Sequence, residues 1–231
     1  TFNLPKAILY STTTERDFVN KRFKNDYIEN DIVGLGVDIN ENAQDLDLEK
    51  TFGIKDDYVI YVGRIDESKG CKEMFEYFLE YKKAYNSNLK LVLAGKSAME
   101  IPRNKDIVTL GFVSEDEKVN LIRKSKLLIL PSKFESLSLS TLEAMYLKVP
   151  VLLNGKCEVL KQHAILSNGG LYYENKWEFL ETLNYLIGNS KIAERMGDNG
   201  RRYVDENYEW DVIIKKLKEA IKYVYTIHSK K

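Results

Sequence analysis

The 231-residue chain holds only two cysteines and two histidines, and its 35 Lys and Arg residues equal its 35 Asp and Glu residues. Cys71 and Cys157 lie far apart, and no second Cys or His stands at metal-ligand spacing from them, from His163 or from His228, so no metal site is expected. A reduced thiol fits a chain this poor in cysteine better than a disulfide, which the positions leave open. With no net charge, no overall field draws the chain to nucleic acid or an anionic membrane, and nucleic acid is not an expected partner. No apolar run approaches the roughly 20 residues that span a bilayer, and no signal peptide opens the chain, so a cytoplasmic location is the default expectation.

Two phosphate-binding motifs are also missing. Gly34-Leu35-Gly36-Val37-Asp38-Ile39 lacks the third glycine of a dinucleotide fingerprint. Gly95-Lys96-Ser97 has Lys90 where the first glycine of a nucleotide-triphosphate loop belongs. Neither hydride transfer nor nucleoside-triphosphate chemistry is signalled.

What the chain does have is alternation. Short apolar runs at 7–10, 31–35, 58–62, 90–94, 107–110, 127–130, 150–153 and 170–173 alternate with longer amphipathic stretches, the pattern of a parallel sheet covered by helices. Helical stripes follow Met74, Phe75, Phe78, Leu79 and Tyr85, then Leu180, Leu183 and Ile187, then Trp210, Ile213, Ile214, Leu217, Ile221 and Val224. Their spacing assigns these side chains to packing rather than to a ligand. Residues 40–50 are acidic and polar and read as a linker or hinge. The expected architecture is α/β, a Rossmann-like doubly wound parallel sheet.

Two turns carry chemistry. Gly63-Arg64-Ile65-Asp66-Glu67-Ser68-Lys69-Gly70 leaves a strand and enters a helix, so its glycine permits close backbone approach while Arg64 and Lys69 offer cations to a diphosphate. Pro131-Ser132-Lys133-Phe134-Glu135-Ser136-Leu137-Ser138-Leu139-Ser140-Thr141-Leu142-Glu143 leaves another strand and sets two acids with seven residues between them, a Glu-x7-Glu spacing. A carboxylate accepts hydrogen bonds from adjacent sugar hydroxyls, and helix N-terminal N–H groups bind phosphate. The competing reading is structural: Ser140-Thr141-Leu142-Glu143 has the form of a capping box, and Glu135 is then a loop acid.

These residues, with Leu93-Ala94-Gly95, Leu110-Gly111-Phe112-Val113, Glu143-Ala144-Met145, Val149-Pro150-Val151 and Glu158-Val159, occur in an order that resembles the retaining glycosyltransferases of the GT-B fold. That large family includes glycogen synthases, sucrose synthases and bacterial mannosyltransferases. The resemblance covers about residues 31–210 and implies the C-terminal half of a GT-B fold, binding a nucleotide-diphospho-sugar. It implies that Arg64 and Lys69 hold the donor diphosphate and that Glu135 binds the donor sugar near the reacting carbon. It further implies that Leu137, Ser138 and Leu139 meet sugar and phosphate through their backbone, and that Glu143 takes the ribose hydroxyls. Gly63 and Gly95 line the cleft on this pattern, and the turn at Phe112 and Val113 meets the base. Transfer with retention, usually without a metal, follows from the same resemblance, as does possible peripheral membrane association of the full enzyme.

The chain departs from the family pattern at Ser136 and Ser138, which replace glycines, and at Gly155-Lys156-Cys157, which reduces a glycine pair. If those serines need positive φ, they carry a conformational cost that glycine does not. Residues 1–38 resemble the end of an N-terminal acceptor domain plus a linker strand, 39–207 the donor-binding domain, and 208–231 a crossover helix. A first residue of Thr1 rather than Met suggests a processed product or an excised piece. The chain is therefore expected to need a missing N-terminal, acceptor-binding domain for transfer. A non-catalytic nucleotide-sugar-binding or regulatory module, and a GT-B sugar-nucleotide epimerase, are the alternatives.

Overall fold

The computed structural model of the chain describes residues 4–228. Two short strands, β1 (Ala7–Tyr10) and β2 (Glu29–Ile32), flank α1 (Thr13–Phe23) and pair in parallel as a sheet of their own. A short α2 (Leu48–Phe52) then leads to β3 (Tyr58–Val62), α3 (Cys71–Tyr85), β4 (Lys90–Ala94), β5 (Ile107–Gly111), α4 (Glu115–Arg123) and β6 (Leu128–Leu130). The chain continues through α5 (Leu139–Tyr146), β7 (Val151–Asn154), α6 (Glu158–Ser167), β8 (Gly170–Tyr173), α7 (Lys176–Gly188), α8 (Ser190–Asn207) and α9 (Trp210–His228).

Strands β3 to β8 form one parallel sheet in the order β5-β4-β3-β6-β7-β8. Val59, Ile60, Leu91, Val92, Leu93, Leu128, Ile129, Val151, Leu152 and Leu153 are all fully buried, because a run with no polar alternate must be covered on both faces. Helix α3 contributes Met74, Phe75 and Phe78 to that core, as its spacing predicts, together with Tyr81, which the expected stripe omits, while Leu79 and Tyr85 pack against it only partly buried. The expected α/β doubly wound sheet is what the chain forms.

Strand order fixes where a ligand can go. From β3 the chain winds outward through β4 and β5, whereas from β6 it winds the opposite way through β7 and β8. The loops after β3 and β6 therefore diverge, and the crevice between them is the topological switch point at which open α/β sheets bind ligands.

Three expectations are corrected. Strand β2 lies at Glu29–Ile32 rather than 31–35, because Gly34 adopts φ 82°, turning the chain out of the strand. The 40–50 segment is docked rather than free: the Asn120 amide donates to the Gln44 carbonyl at 2.9 Å and its oxygen accepts from Leu46 N–H at 3.0 Å. Asn40 bonds Asp116, and Glu41 pairs with Arg201. The α9 stripe is only half packed, since Ile213 and Ala220 join Val33 in a small cluster while Ile214, Leu217 and Ile221 remain exposed.

Two glycines separate conformational from steric cost. Gly95 has φ 147°, and a Cβ there would overlap the Gly63 carbonyl oxygen; Gly53 has φ 70° with open space around it. Gly53→Ala is expected to cost about 1 kcal/mol of folding free energy from backbone conformation alone. Gly95→Ala is expected to cost at least about 2 kcal/mol, because two loops must also move apart. Urea unfolding of both variants measures the difference, and equal losses would contradict the packing described.

Candidate ligand-binding crevice

The loop after β3 is tied down before it reaches its charged residues. Gly63 N–H donates to the Ala94 carbonyl at 3.0 Å, and the Tyr61 hydroxyl donates to the Arg64 carbonyl at 2.7 Å. Burial pushes the Tyr61 phenol far up, so it remains a protonated donor. Asp66 then caps a single 3-10 turn, Glu67–Lys69, through Ser68 N–H at 2.8 Å. Gly70, at φ 76°, starts α3 where a Cβ would overlap the Pro131 carbonyl. Arg64 projects outward, 61% exposed, with its Nε 3.6 Å from the Asp66 carboxylate.

Across the crevice, the loop after β6 carries Glu135. Its Oε1 accepts from Lys69 Nζ at 2.7 Å, with the two side chains 15% and 33% exposed. The chemistry proposed for the two turns thus meets at one contact spanning the switch point. Leu137 and Ser138 are buried and Leu139 is exposed. Ser138 adopts φ 66°, the left-handed region, whereas Ser136 is not among the positive-φ residues, so only one of the two serines carries the glycine-type strain. The Ser138 hydroxyl bonds Thr141 at 2.8 Å.

The rear of this turn rests on a buried histidine. His163 Nε2 lies 2.8 Å from the Leu137 carbonyl, and Nδ1 lies 3.1 Å from the Tyr203 hydroxyl. A carbonyl can only accept, so Nε2 carries the proton and Nδ1 accepts from Tyr203. Two further contacts anchor the loop: Asn154 Nδ2 donates to the Pro131 carbonyl at 2.8 Å, and the Thr12 hydroxyl donates to the Ser136 carbonyl at 3.1 Å.

Glu143 does not form the capping box. Ser138, not Ser140, occupies the N-cap of α5, and no side chain caps that helix. Glu143 instead turns to α4, where Lys118 Nζ donates to its Oε1 at 2.9 Å. An ionised neighbour offers a carboxylate a stronger bond than a terminal amide does, and Glu143 lies within reach of one. The first N–H groups of α5 consequently face the crevice end of the sheet without a side-chain cap.

The turns after β4 and β5 complete this edge. Ile65 and Ser97 extend the β3–β4 pairing beyond the sheet, with Ile65 N–H donating to the Lys96 carbonyl at 3.0 Å. Gly95 N–H donates to the Gly111 carbonyl at 2.7 Å. Gly95 is therefore required by contact of two loops, whatever else it lines. Val113 packs on the core while Phe112 is 89% exposed. A cleft of about 640 Å³ opens beside Glu135, lined by Lys69, Phe134, Ser136, Lys156 and Glu158 together with Glu15 and Phe18 of α1.

Lys118, His163 and Asn154 have no sequence signal as parts of this site. Lys118 reads as an exposed helix lysine, and His163 stands alone for metal spacing; only tertiary contact gives either a role. Cys71 and Cys157 are buried free thiols, raised in pKa by burial. Among the described residues, no helix is long and apolar enough to cross a membrane.

A cation and a carboxylate meet at the switch point of this doubly wound α/β domain, the edge at which open α/β sheets bind ligands. The family model of the group 1 glycosyl transferases matches residues 44–203, and the chain belongs to that family. It is 26% identical over 201 residues to an uncharacterized glycosyltransferase of Methanocaldococcus jannaschii, covering 80% of this chain and 50% of that protein. Among solved structures, sucrose-phosphate synthase from Thermosynechococcus elongatus superposes with a TM-score of 0.78 at 16% identity, covering 98% of this chain and 60% of that one. HepE of Anabaena, solved with UDP and glucose, gives 0.78 at 14% identity, over 94% and 63%. The chain thus spans about half the length of the M. jannaschii relative, and its fold is that of GT-B glycosyltransferases.

The histidine behind the loop gives a pH signature. Burial against the Tyr203 and Tyr208 rings pushes the His163 pKa down to about 4 from the ordinary 6.5. Between those values the unfolded chain binds the proton and the folded one does not, so stability is complete above pH 6.5 and falls as pH drops toward 4. Between pH 7 and 4.5 this group is expected to remove about 2–3 kcal/mol. Urea unfolding of wild type and His163→Gln at both pH values isolates the effect, and an equal pH dependence in the two would refute it.

Proposed function

We propose that this chain is the nucleotide-sugar-binding half of a retaining glycosyltransferase. The observation that carries the reading is the Lys69–Glu135 contact of 2.7 Å across the switch point. It puts a phosphate-binding cation and a hydroxyl-accepting carboxylate within reach of one extended ligand. Arg64 and Lys69 hold the diphosphate, Glu135 accepts from the donor sugar, and the backbone of Leu137, Ser138 and Leu139 at the start of α5 meets sugar and phosphate. Glu143 takes the ribose, and Gly63, Gly95 and the Phe112-Val113 turn line the cleft and meet the base. The UDP held by HepE, a structural neighbour, supports a uridine nucleotide as the first donor to test.

Glycosyl transfer passes through an oxocarbenium-like state while negative charge grows on the leaving diphosphate. Fixed cations at Arg64 and Lys69 stabilise that charge, and the leaving phosphate helps deprotonate the acceptor, so no metal enters the scheme. The acceptor is bound outside this chain, which spans about half the length of the M. jannaschii relative. The 231-residue chain alone binds the donor and transfers nothing.

Arg64→Ala and Lys69→Ala are each expected to lower the transfer rate of the complete enzyme about 100-fold or more. Wild-type turnover in both variants would overturn the assignment. Thermal-shift titration of this chain with UDP-, GDP- and ADP-sugars is expected to raise the melting temperature with one base, and both alanine variants are expected to abolish the shift. Glycosyl transfer by the purified chain alone would refute the division of labour.

A further inference from the structure

We propose that Lys118 is a positioning residue that orients Glu143 toward a ribose, an inference that rests on the reading of Glu143 as the ribose ligand. Glu143 and Lys118 have side chains only 14% exposed, and Lys118 Nζ donates to Glu143 Oε1 at 2.9 Å. Lys118 is itself held from its other side by Glu115, at 2.6 Å. One oxygen of Glu143 is thereby fixed and the other, Oε2, is left to accept from the ribose hydroxyls. Two carboxylates share one cation, so Glu143 keeps the accepting power that a one-to-one ion pair would partly use up.

The position of Lys118 is set by the turn assigned to the base. Helix α4 follows β5 immediately after Phe112 and Val113, and it starts at a complete capping box in which Ser114 accepts from Glu117 N–H while Glu117 accepts from Ser114 N–H. Lys118 N–H donates to the Ser114 carbonyl at 2.8 Å, one turn into that helix. The base turn and the ribose carboxylate sit on different elements, and Lys118 fixes their separation. Burial disfavours its charge, but Glu115 and Glu143 outweigh burial and raise its pKa, so the clamp stays ionised.

Calorimetric titration of the full 231-residue chain with UDP, GDP and ADP, each paired with its 2′,3′-dideoxy counterpart, tests the assignment. Lys118→Met and Lys118→Gln are expected to weaken the ribonucleotide that wild type binds by about 10-fold, and its dideoxy counterpart by less than about 2-fold. Lys118→Arg, which keeps a cation, is expected to recover most of the loss. Equal weakening of both nucleotides marks a merely structural lysine and overturns the proposal, as does no weakening of either. Glu143→Gln separates the two layers: if it weakens the ribonucleotide no more than its dideoxy counterpart, the ribose reading of Glu143 falls. A ribose-selective loss of affinity in Glu143→Gln but not in the Lys118 variants overturns the role of Lys118 alone. No binding of any of the three diphosphates by wild type overturns the donor-site reading and the inference with it.

Discussion

The parallel pairing of β3 with β6, which sets Ile60 beside Leu128, is the constraint from which the crevice follows. It joins two strands about seventy residues apart in sequence and makes them the point where the winding of the sheet reverses. Their loops must leave the same edge in divergent directions. Lys69 and Glu135 reach across that divergence, and Gly70 abutting the Pro131 carbonyl fixes how close the two loops come. Any substitution that displaces either strand would separate the cation from the acid without touching either residue.

Around that contact, the loops are braced from behind by neutral hydrogen bonds, buried at Asn154 and His163 and part-buried at Tyr61. Tyr61 holds the Arg64 carbonyl, Asn154 holds the Pro131 carbonyl, and His163 holds the Leu137 carbonyl. All three supports bind main-chain carbonyls, which fixes loop geometry and leaves the charged side chains free to meet a ligand. The low pKa of His163 belongs to this arrangement, since an imidazolium there would be charged in an apolar site. Ser138 shows the same logic under strain: its left-handed backbone persists in a residue other than glycine because Thr141 bonds its hydroxyl and His163 secures the preceding carbonyl.

The two acids at the ends of the Glu-x7-Glu spacing are treated differently. Glu135 is paired directly with a cation that the proposed function gives to phosphate, so a bound diphosphate would compete for Lys69 and release the carboxylate to the sugar. Glu143 is paired with Lys118, which is spoken for by Glu115 as well and has no competing assignment. One pair is therefore exchangeable and the other fixed, a distinction that motif spacing does not contain.

Much of the fold was legible from residue pattern. Uninterrupted apolar runs demand burial on both faces, so Tyr58–Val62 and Lys90–Ala94 are strands at the expected residues, and the edge strand Gly170–Tyr173 also lies where its run places it, with Tyr172 exposed. The turns bearing Arg64, Lys69 and Glu135 were equally readable, because glycine and charge at strand ends are local features. The capping-box alternative fails for a local reason: Ser140 and Glu143 have the right spacing, but a left-handed Ser138 starts the helix two residues earlier. The end of β2 at Gly34, the docking of residues 40–50 on α4 and the half-exposed stripe of α9 depended on distant partners. By itself the sequence determined which segments are strands and helices and which turns carry charge, since those follow from short-range periodicity and backbone preference. Only the tertiary structure decided that Lys69 meets Glu135, that Lys118 meets Glu143 and that His163 supports Leu137, because each contact joins residues whose separation is set by strand order rather than by distance along the chain.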